Sequence, residues 1–417
     1  MSKKLKVLVL SDHPFSPSGV GTQTRYMVEG LLQTGGYSFV CFGGAIRHND
    51  YTPQKTEAYG EDLIIYPVDG YGSQESIRSI LRTEKPDILW FMTDPRFFGW
   101  LWEIEDEVRA LVPMVYYHVW DNYPYPTFNK VWYDSCDSVV AISKLTHDLV
   151  QNVAPSVDCH YLPHAVTPSY FKPIEEDKIK EIRGKSNIEE DQFVIFWNNR
   201  NARRKQSATL IYWFKDFVER IGPGKAKLIM HTDPNDVNGP NLNAAIQDLG
   251  LTSGEVMFST DRLELHQLAA LYNIADVTVN ISDAEGFGLA TLESLSCATP
   301  IIVNMTGGLQ EQVTDGKEWF GIGLEPSSKS VIGSQEIPFI YEDRLNGKDF
   351  VDALEKIYNM SKEERKELGL KGQAHVEKNY NFNKYVLAWD DLLKGIHEKF
   401  GAWETRKGYK TWDLLEV

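Results

Sequence analysis

The stretch Asp283-Ala-Glu285-Gly-Phe-Gly-Leu-Ala-Thr-Leu-Glu293 sets two carboxylates eight residues apart around a glycine-rich turn. Gly286 and Gly288 lack a Cβ, so the chain there can approach a ligand closely and aim its amides at it. The stretch follows an apolar, strand-like run (277–281) and opens a helix-like one (291–297). A helix N-terminus presents the positive end of a dipole, which suits a diphosphate. Glu285, in the loop, can accept hydrogen bonds from sugar hydroxyls, and Glu293 from a ribose diol. The same residues also fit an ordinary strand-loop-helix turn with a solvated Glu285 and a Glu293 that complements the helix dipole. The Glu-x7-Glu spacing alone does not separate the two readings.

Upstream, a strand-like run at 193–197 leads into Asn198-Asn-Arg200-Asn-Ala-Arg-Arg-Lys205-Gln, where four of six consecutive residues are basic. At a strand's carboxyl end, Arg200 and Lys205 are placed to neutralise the two phosphates of a nucleotide-sugar leaving group. A solvated basic turn is the plain alternative. It is weakened because this is the densest cationic site in an acidic chain. Downstream, Met305-Thr-Gly307-Gly308-Leu-Gln-Glu311 follows another strand-like run, and its glycine pair would let a loop pass beside the same pocket. Near the N-terminus, Ser18-Gly19-Val-Gly21-Thr22 makes a second glycine-rich strand-to-helix turn. It is not the dinucleotide fingerprint, because the third glycine position holds Thr24, and no GxxxxGK[ST] phosphate loop occurs.

These residues need a scaffold that brings strand ends together. Short apolar runs at 6–10, 38–43, 64–67, 88–93, 114–118 and 138–142 alternate with helical patterns such as 23–32, 73–82 and 144–151. The scheme repeats with strands at 193–197, 227–232, 256–259, 277–281 and 301–304, and with helices at 208–220, 242–249, 263–270, 291–297 and 350–359. Continuous apolar strands separated by helices predict parallel sheets covered on both faces. The proline-bearing segment 162–187, ending in a charged run at 175–185, reads as a linker between two doubly wound domains. Such domains bind ligands at the carboxyl ends of their strands, so a cleft between the two is the expected site.

Composition narrows the field. The 417 residues carry 43 Lys+Arg against 59 Asp+Glu, a net charge of −16. A protein built to grip nucleic-acid backbones is usually basic. Four widely spaced cysteines give neither a disulfide framework nor a zinc pattern, so a reducing compartment is expected. The first apolar run is about five residues, too short for a signal segment or a membrane span. A cytoplasmic location without membrane insertion is the resulting expectation.

Together, these segments resemble glycosyltransferase family 4, whose GT-B fold is an α/β architecture of two Rossmann-like doubly wound domains facing a central cleft. The resemblance rests on Gly19–Gly21, the Arg200/Lys205 spacing, Glu285-Gly-Phe-Gly-x4-Glu293 and Thr306-Gly-Gly-Leu-Gln-Glu311. Leu162-Pro-His164-Ala-Val-x3-Tyr-Phe-Lys-Pro173 also resembles the interdomain segment. Ser18 stands where the family often has glycine, and His164 where asparagine is common. A looser likeness is to transferases of tailed-phage genomes, which would place the chain in the host cytoplasm.

The resemblance implies an acceptor-side domain over 1–170, a nucleotide-sugar-binding domain over 171–382, and a helix and tail over 383–417 returning to the first domain. It implies that Arg200 and Lys205 hold the donor diphosphate. Glu285 would contact the sugar hydroxyls, beside backbone groups of Gly286, Phe287, Gly288 and Leu289, and Glu293 would bind the ribose. Gly19 and Gly21 would line the diphosphate from the first domain, and Arg262 and Leu263 would lie at the base. His118 matches the family's active-site histidine; a buried core histidine is its alternative reading. The implied reaction is a retaining hexosyl or pentosyl transfer from a nucleotide-diphosphate sugar, UDP-linked by preference. It needs no cofactor and no metal, since no Asp-x-Asp occurs. Removing either Arg200 or Lys205 would lower turnover at least about 100-fold. The hinge for closure is expected near 162–173. The acceptor is a hydroxyl on a glycan or lipid-linked sugar, or on a hydroxymethylated base in DNA. An epimerase or phosphorylase of the same fold, or a non-catalytic sugar-nucleotide-binding protein, remains the alternative. Oligomeric state is not legible.

Overall fold

The computed structural model describes residues 3–410; residues 1–2 and 411–417, the ends of the expected first domain and of the tail, lie outside the described residues. The chain divides into two units. The first runs through Ala165 and takes in Gly333–Phe339 and the chain from Phe382 on, and the second comprises Val166–Ile332 and Ile340–Asn381.

The first unit is built on an eight-stranded sheet: β1 (Leu5–Asp12), β2 (Tyr37–Gly44), β3 (Gln54–Lys55), β4 (Leu63–Pro67), β5 (Ile88–Met92), β6 (Met114–His118), β7 (Ser138–Ala141) and β8 (Asp158–Tyr161). The order is β3-β4-β2-β1-β5-β6-β7-β8, and only β3 runs antiparallel. Val7–Leu10 and Ile88–Phe91 are fully buried, as continuous apolar strands with helices on both faces must be. Helix Phe382–Phe400 belongs to this unit. Its Val386 packs where Gly30 has no side chain, its Asp390 accepts a 2.8 Å hydrogen bond from Tyr37 Oη, and its Trp389 meets Trp90 and Tyr117 edge-on.

The second unit holds a six-stranded, all-parallel sheet: β9 (Phe193–Asn198), β10 (Ala226–His231), β11 (Val256–Ser259), β12 (Val277–Asn280), β13 (Ile301–Asn304) and β14 (Gly321–Leu324). Its order, β11-β10-β9-β12-β13-β14, reverses direction between β9 and β12. Both units are Rossmann-like α/β domains. A separate two-stranded antiparallel hairpin, β15 (Ser328–Ile332) and β16 (Ile340–Arg344), pairs only with itself.

Several elements differ from expectation. The charged run inside the expected linker is a helix, Glu176–Lys185, with no buried residue. Helix Lys362–Asn379 carries no apolar stripe that could announce it and is started by the Ser361/Glu364 capping box. The helix after the glycine-rich turn starts two residues early, at Leu289, because Gly288 adopts a left-handed φ of 91° and serves as its N-cap.

Candidate functional site

In a doubly wound sheet the ligand crevice opens at the carboxyl edge, where the strand order reverses. Here that point lies between β9 and β12. The loop leaving β9 carries Lys205, and the loop leaving β12 carries Glu285. The two side chains meet in a direct ion pair, both buried. Asn280 Nδ2 donates to the same Glu285 oxygen at 3.3 Å, and Arg204 donates to the Ala284 carbonyl. Burial pushes the Glu285 carboxyl up, but the charges of Lys205 and Arg204 outweigh it and hold it below the usual carboxylate range.

The glycines let one loop pack against another. Gly308 N donates to the Glu285 carbonyl at 3.1 Å, and a Cβ on Gly308 would fall 2.7 Å from Phe287 Cα. The glycine-pair loop therefore runs against the Glu285–Phe287 backbone. Gln312 Nε2 fastens this turn by donating to the carbonyls of Phe287 at 2.7 Å and Gly288 at 3.1 Å. Glu293, four residues into helix Leu289–Ser296, accepts a 2.7 Å hydrogen bond from Tyr272 Oη, which in turn accepts from Asn198 Nδ2 at 2.8 Å. Burial raises the Glu293 carboxyl to about 7, against the lowering effect of the Tyr272 hydroxyl. Burial also raises neighbouring Asp283 to about 6, and Gln206 Nε2 donates to it at 2.6 Å.

Other expected site residues stand apart from this pair. Arg200 is two-thirds exposed and pairs with Asp236 at 2.6 Å. Arg262 is exposed and Leu263 half-buried, in the loop between β11 and helix Leu265–Ile274. Gly19, Gly21 and His118 belong to the first unit. Gly19 opens helix Gly19–Gln33, where Ser18 is the N-cap and its Oγ accepts from Gly21 N at 2.9 Å. A Cβ on Gly21 would lie 2.2 Å from Ser16 Oγ and 2.9 Å from the His13 carbonyl. His118 is fully buried, its Nε2 lies 2.7 Å from Tyr133 Oη, and burial lowers its pKa to about 3, so it is neutral near pH 7. His164 is likewise buried, with Nδ1 2.8 Å from Tyr117 Oη.

Sequence reasoning missed Arg204, Asn280, Tyr272 and Gln312. Arg204 sat unremarked inside the basic run, whereas Tyr272 and Gln312 reach the site from helices with no local signal. Among the described residues, no group of three or more His, Cys, Asp or Glu side chains is arranged to hold a metal ion, and no helix is long and apolar enough to cross a membrane.

Residues 178–375 match the family described as Glycosyl transferases group 1. The matched segment contains Arg200, Lys205, Arg262, Leu263, Glu285 and Glu293, and leaves out Gly19, Gly21 and His118. Among curated proteins, the chain is 26% identical over 184 residues to the alpha-monoglucosyldiacylglycerol synthase of Streptococcus pneumoniae, covering 43% of this chain and 40% of that protein. It is also 26% identical over 216 residues to the D-inositol 3-phosphate glycosyltransferase of Paenarthrobacter aurescens, covering 52% and 46%. The chain thus spans less than half the length of these relatives. Among solved structures, sucrose-phosphate synthase from Thermosynechococcus elongatus superposes with a TM-score of 0.75 at 17% identity, over 95% of this chain and all of that one. Anabaena HepE, solved with UDP and glucose, gives 0.67 at 15% identity over 94% and 100%. The fold of the chain is GT-B.

Proposed function

We propose that this chain is a retaining, metal-independent glycosyltransferase of the family 4 type, moving a sugar from a nucleotide-diphosphate sugar to a hydroxyl acceptor. One observation carries the reading: a buried Lys205–Glu285 pair at the switch point of a sheet that lies within a group 1 domain. In this reading Lys205, with Arg200, holds the donor diphosphate. Glu285 and the amides of Phe287, Gly288 and Leu289 orient the sugar, Glu293 takes the ribose diol, and Arg262 and Leu263 lie at the base. UDP is the favoured carrier, since HepE was solved with it. Within the first unit, the reading gives Gly19 and Gly21 a phosphate-facing turn and His118 the role of a neutral imidazole.

The acceptor hydroxyl attacks the anomeric carbon on the face from which the phosphate departs. The bond from that carbon to the phosphate oxygen breaks, the new glycosidic bond forms, and the leaving phosphate takes the acceptor proton. The protein supplies alignment and charge rather than a nucleophile. A carbohydrate acceptor is favoured over DNA, because residues 1–172 hold 14 basic and 20 acidic side chains.

The test is a thermal-shift screen of UDP- and GDP-sugars on the full chain, followed by product analysis with glycan and hydroxymethylated-DNA acceptors. Stabilisation by a UDP-sugar and a new glycoside with the donor's anomeric configuration are expected. Inverted configuration, free sugar or a 2-epimer as the sole product would overturn the assignment.

A further inference from the structure

The hairpin β15–β16 is no part of either sheet, yet its returning strand carries two of the most buried acids in the second unit, Glu342 and Asp343. Glu342 Oε1 pairs with Arg203 of the β9 loop, and its Oε2 lies 2.6 Å from Arg344 Nη2. Asp343 touches two further loops. Its amide donates to the Asp283 carbonyl at 2.8 Å, in the loop after β12. Its carbonyl accepts from Asn304 Nδ2 at 2.6 Å, and its Oδ2 accepts from Thr306 Oγ1 at 2.8 Å, both in the segment that ends β13. Asn304 Nδ2 also donates to the Ser282 carbonyl at 2.9 Å, which ties the loops after β12 and β13 together. Lys329, facing Asp343 across the hairpin, stands 3.7 Å from its Oδ1.

These three loops carry Lys205, Glu285 and the Gly307–Gly308 turn. Each leaves a different strand, so sheet hydrogen bonding does not fix one against another. A site of this kind works only if its groups are held within about half an ångström by supporting hydrogen bonds. Burying a carboxylate is unfavourable unless it is paired and hydrogen-bonded. Burial pushes Glu342 up, but the hydrogen bonds from Arg203 and Arg344 outweigh it and keep it ionised. The cations that meet the two acids are exposed while the acids are buried. The acids are therefore held beneath the loops rather than displayed on the surface.

We propose that Glu342 and Asp343 are positioning residues, through which the accessory hairpin sets the relative placement of the three loops that hold the donor diphosphate and sugar. The inference rests on the donor-site reading above. It assigns the hairpin a role in recognising the donor, which neither residue need touch.

The test is calorimetric titration of UDP into the full chain at 15 °C. Asp343→Ala is expected to weaken UDP binding about tenfold. Asp343→Asn, which keeps an acceptor for the Thr306 hydroxyl, should stay within about threefold of the parent protein. Thr306→Val removes the same hydrogen bond from the loop side without emptying the hairpin, and should weaken binding about fivefold even if Asp343→Ala fails to fold. Glu342→Gln should weaken it by a similar factor by releasing Arg203. A purely structural role would lower the melting temperature of these variants and leave their UDP affinity at 15 °C unchanged, and that result overturns the proposal. Lys205→Ala separates the two claims. If it loses UDP while Asp343→Ala and Thr306→Val bind like the parent, the hairpin inference falls alone. If the parent protein binds neither UDP nor GDP, the donor-site reading falls and takes the inference with it.

Discussion

The carboxyl edges of the two sheets have the same strand order at their centres and opposite chemistry. In the second unit the loop after β9 presents Arg200, Arg203, Arg204 and Lys205, and glycines bring backbone against backbone around Glu285. In the first unit the segments after β2, β5 and β6 expose Ile46, Tyr51, Phe97 and Tyr125. Hydroxyls there are tethered to acids: Tyr51 to Asp69 at 2.6 Å, Tyr71 to Asp12 at 2.8 Å and Tyr123 to Asp148 at 2.7 Å. On the proposed reading, one edge is a trap for negative charge, and the other is a ring-lined surface whose hydroxyls are tied to acids. A doubly wound sheet supplies the position, and the loops supply the function. The contrast fits a charged donor read in one unit and an uncharged acceptor read in the other.

The sharpest way to break the contrast is at its most charged point. Lys205→Ala is expected to reduce turnover at least about 100-fold, the cost of a lost contact to developing negative charge. It should also lower stability by about 3–5 kcal/mol, because Glu285 is left buried without its partner. The double variant Lys205→Met/Glu285→Gln should recover most of the melting temperature and none of the turnover, which separates folding from chemistry. Lys205→Ala with parental turnover would remove the charge trap. Arg200 makes a graded comparison. Its guanidinium is largely exposed and engaged by Asp236. Arg200→Ala should therefore cost about tenfold, less than the expectation from spacing alone.

Glu293 adds a pH dependence to the same edge. Its carboxyl sits at about 7 in the folded protein because burial disfavours its charge. The folded state then binds a proton that the unfolded chain releases near pH 4.5, so stability falls as pH rises from about 4.5 to 7 and levels off above. Glu293→Gln should flatten that fall, recovering on the order of 1–2 kcal/mol at pH 8 in a denaturant titration. A ribose diol is held best by the ionised carboxylate, so UDP affinity in the parent protein should rise through pH 7 while the variant stays level. A parental binding curve flat between pH 6 and 8 would detach Glu293 from the ribose.

Much of this is legible in the sequence. Apolar runs predict six strands of the first sheet and five of the second, because a strand buried on both faces has no polar alternation to hide it; β3, β8 and β14 are not among them. Lys205 and Glu285, 80 residues apart, each stand out in a loop that follows an apolar strand, but nothing in the sequence foretells their direct ion pair. Other parts were not legible. β8 is half-buried and reads Asp-Cys-His-Tyr, so it carries no apolar signature. Arg200 and Lys205 look equivalent in the chain, but the left-handed Gln206 follows a tight turn that sends Lys205 inward while Arg200 stays on the surface. Glu342 and Asp343 reach the site through pairing partners more than 30 residues distant, and two acids on a short strand announce nothing.

The smallest expected effect tests the uncharged side of the comparison. Phe97 is about half exposed and rests against Tyr71, with ring centroids 5.2 Å apart. Phe97→Ala removes little buried surface, so stability should move by less than about 0.5 kcal/mol and UDP affinity should not move at all. If the ring packs against a carbohydrate acceptor, the acceptor KM should rise by about 1 kcal/mol's worth, roughly fivefold, at constant kcat. Salt gives the complementary reading. An acceptor gripped by six or more backbone phosphates would lose about 10³-fold or more in affinity between 50 and 200 mM salt. A neutral carbohydrate should lose less than about threefold over the same range, since the tethered acids of this edge repel phosphates and hydroxyls need no counter-charge. A steep salt slope with Phe97→Ala unaltered would invert the contrast, making cations of the first unit, Arg47 and Arg96 among them, the acceptor-binding groups instead of its rings.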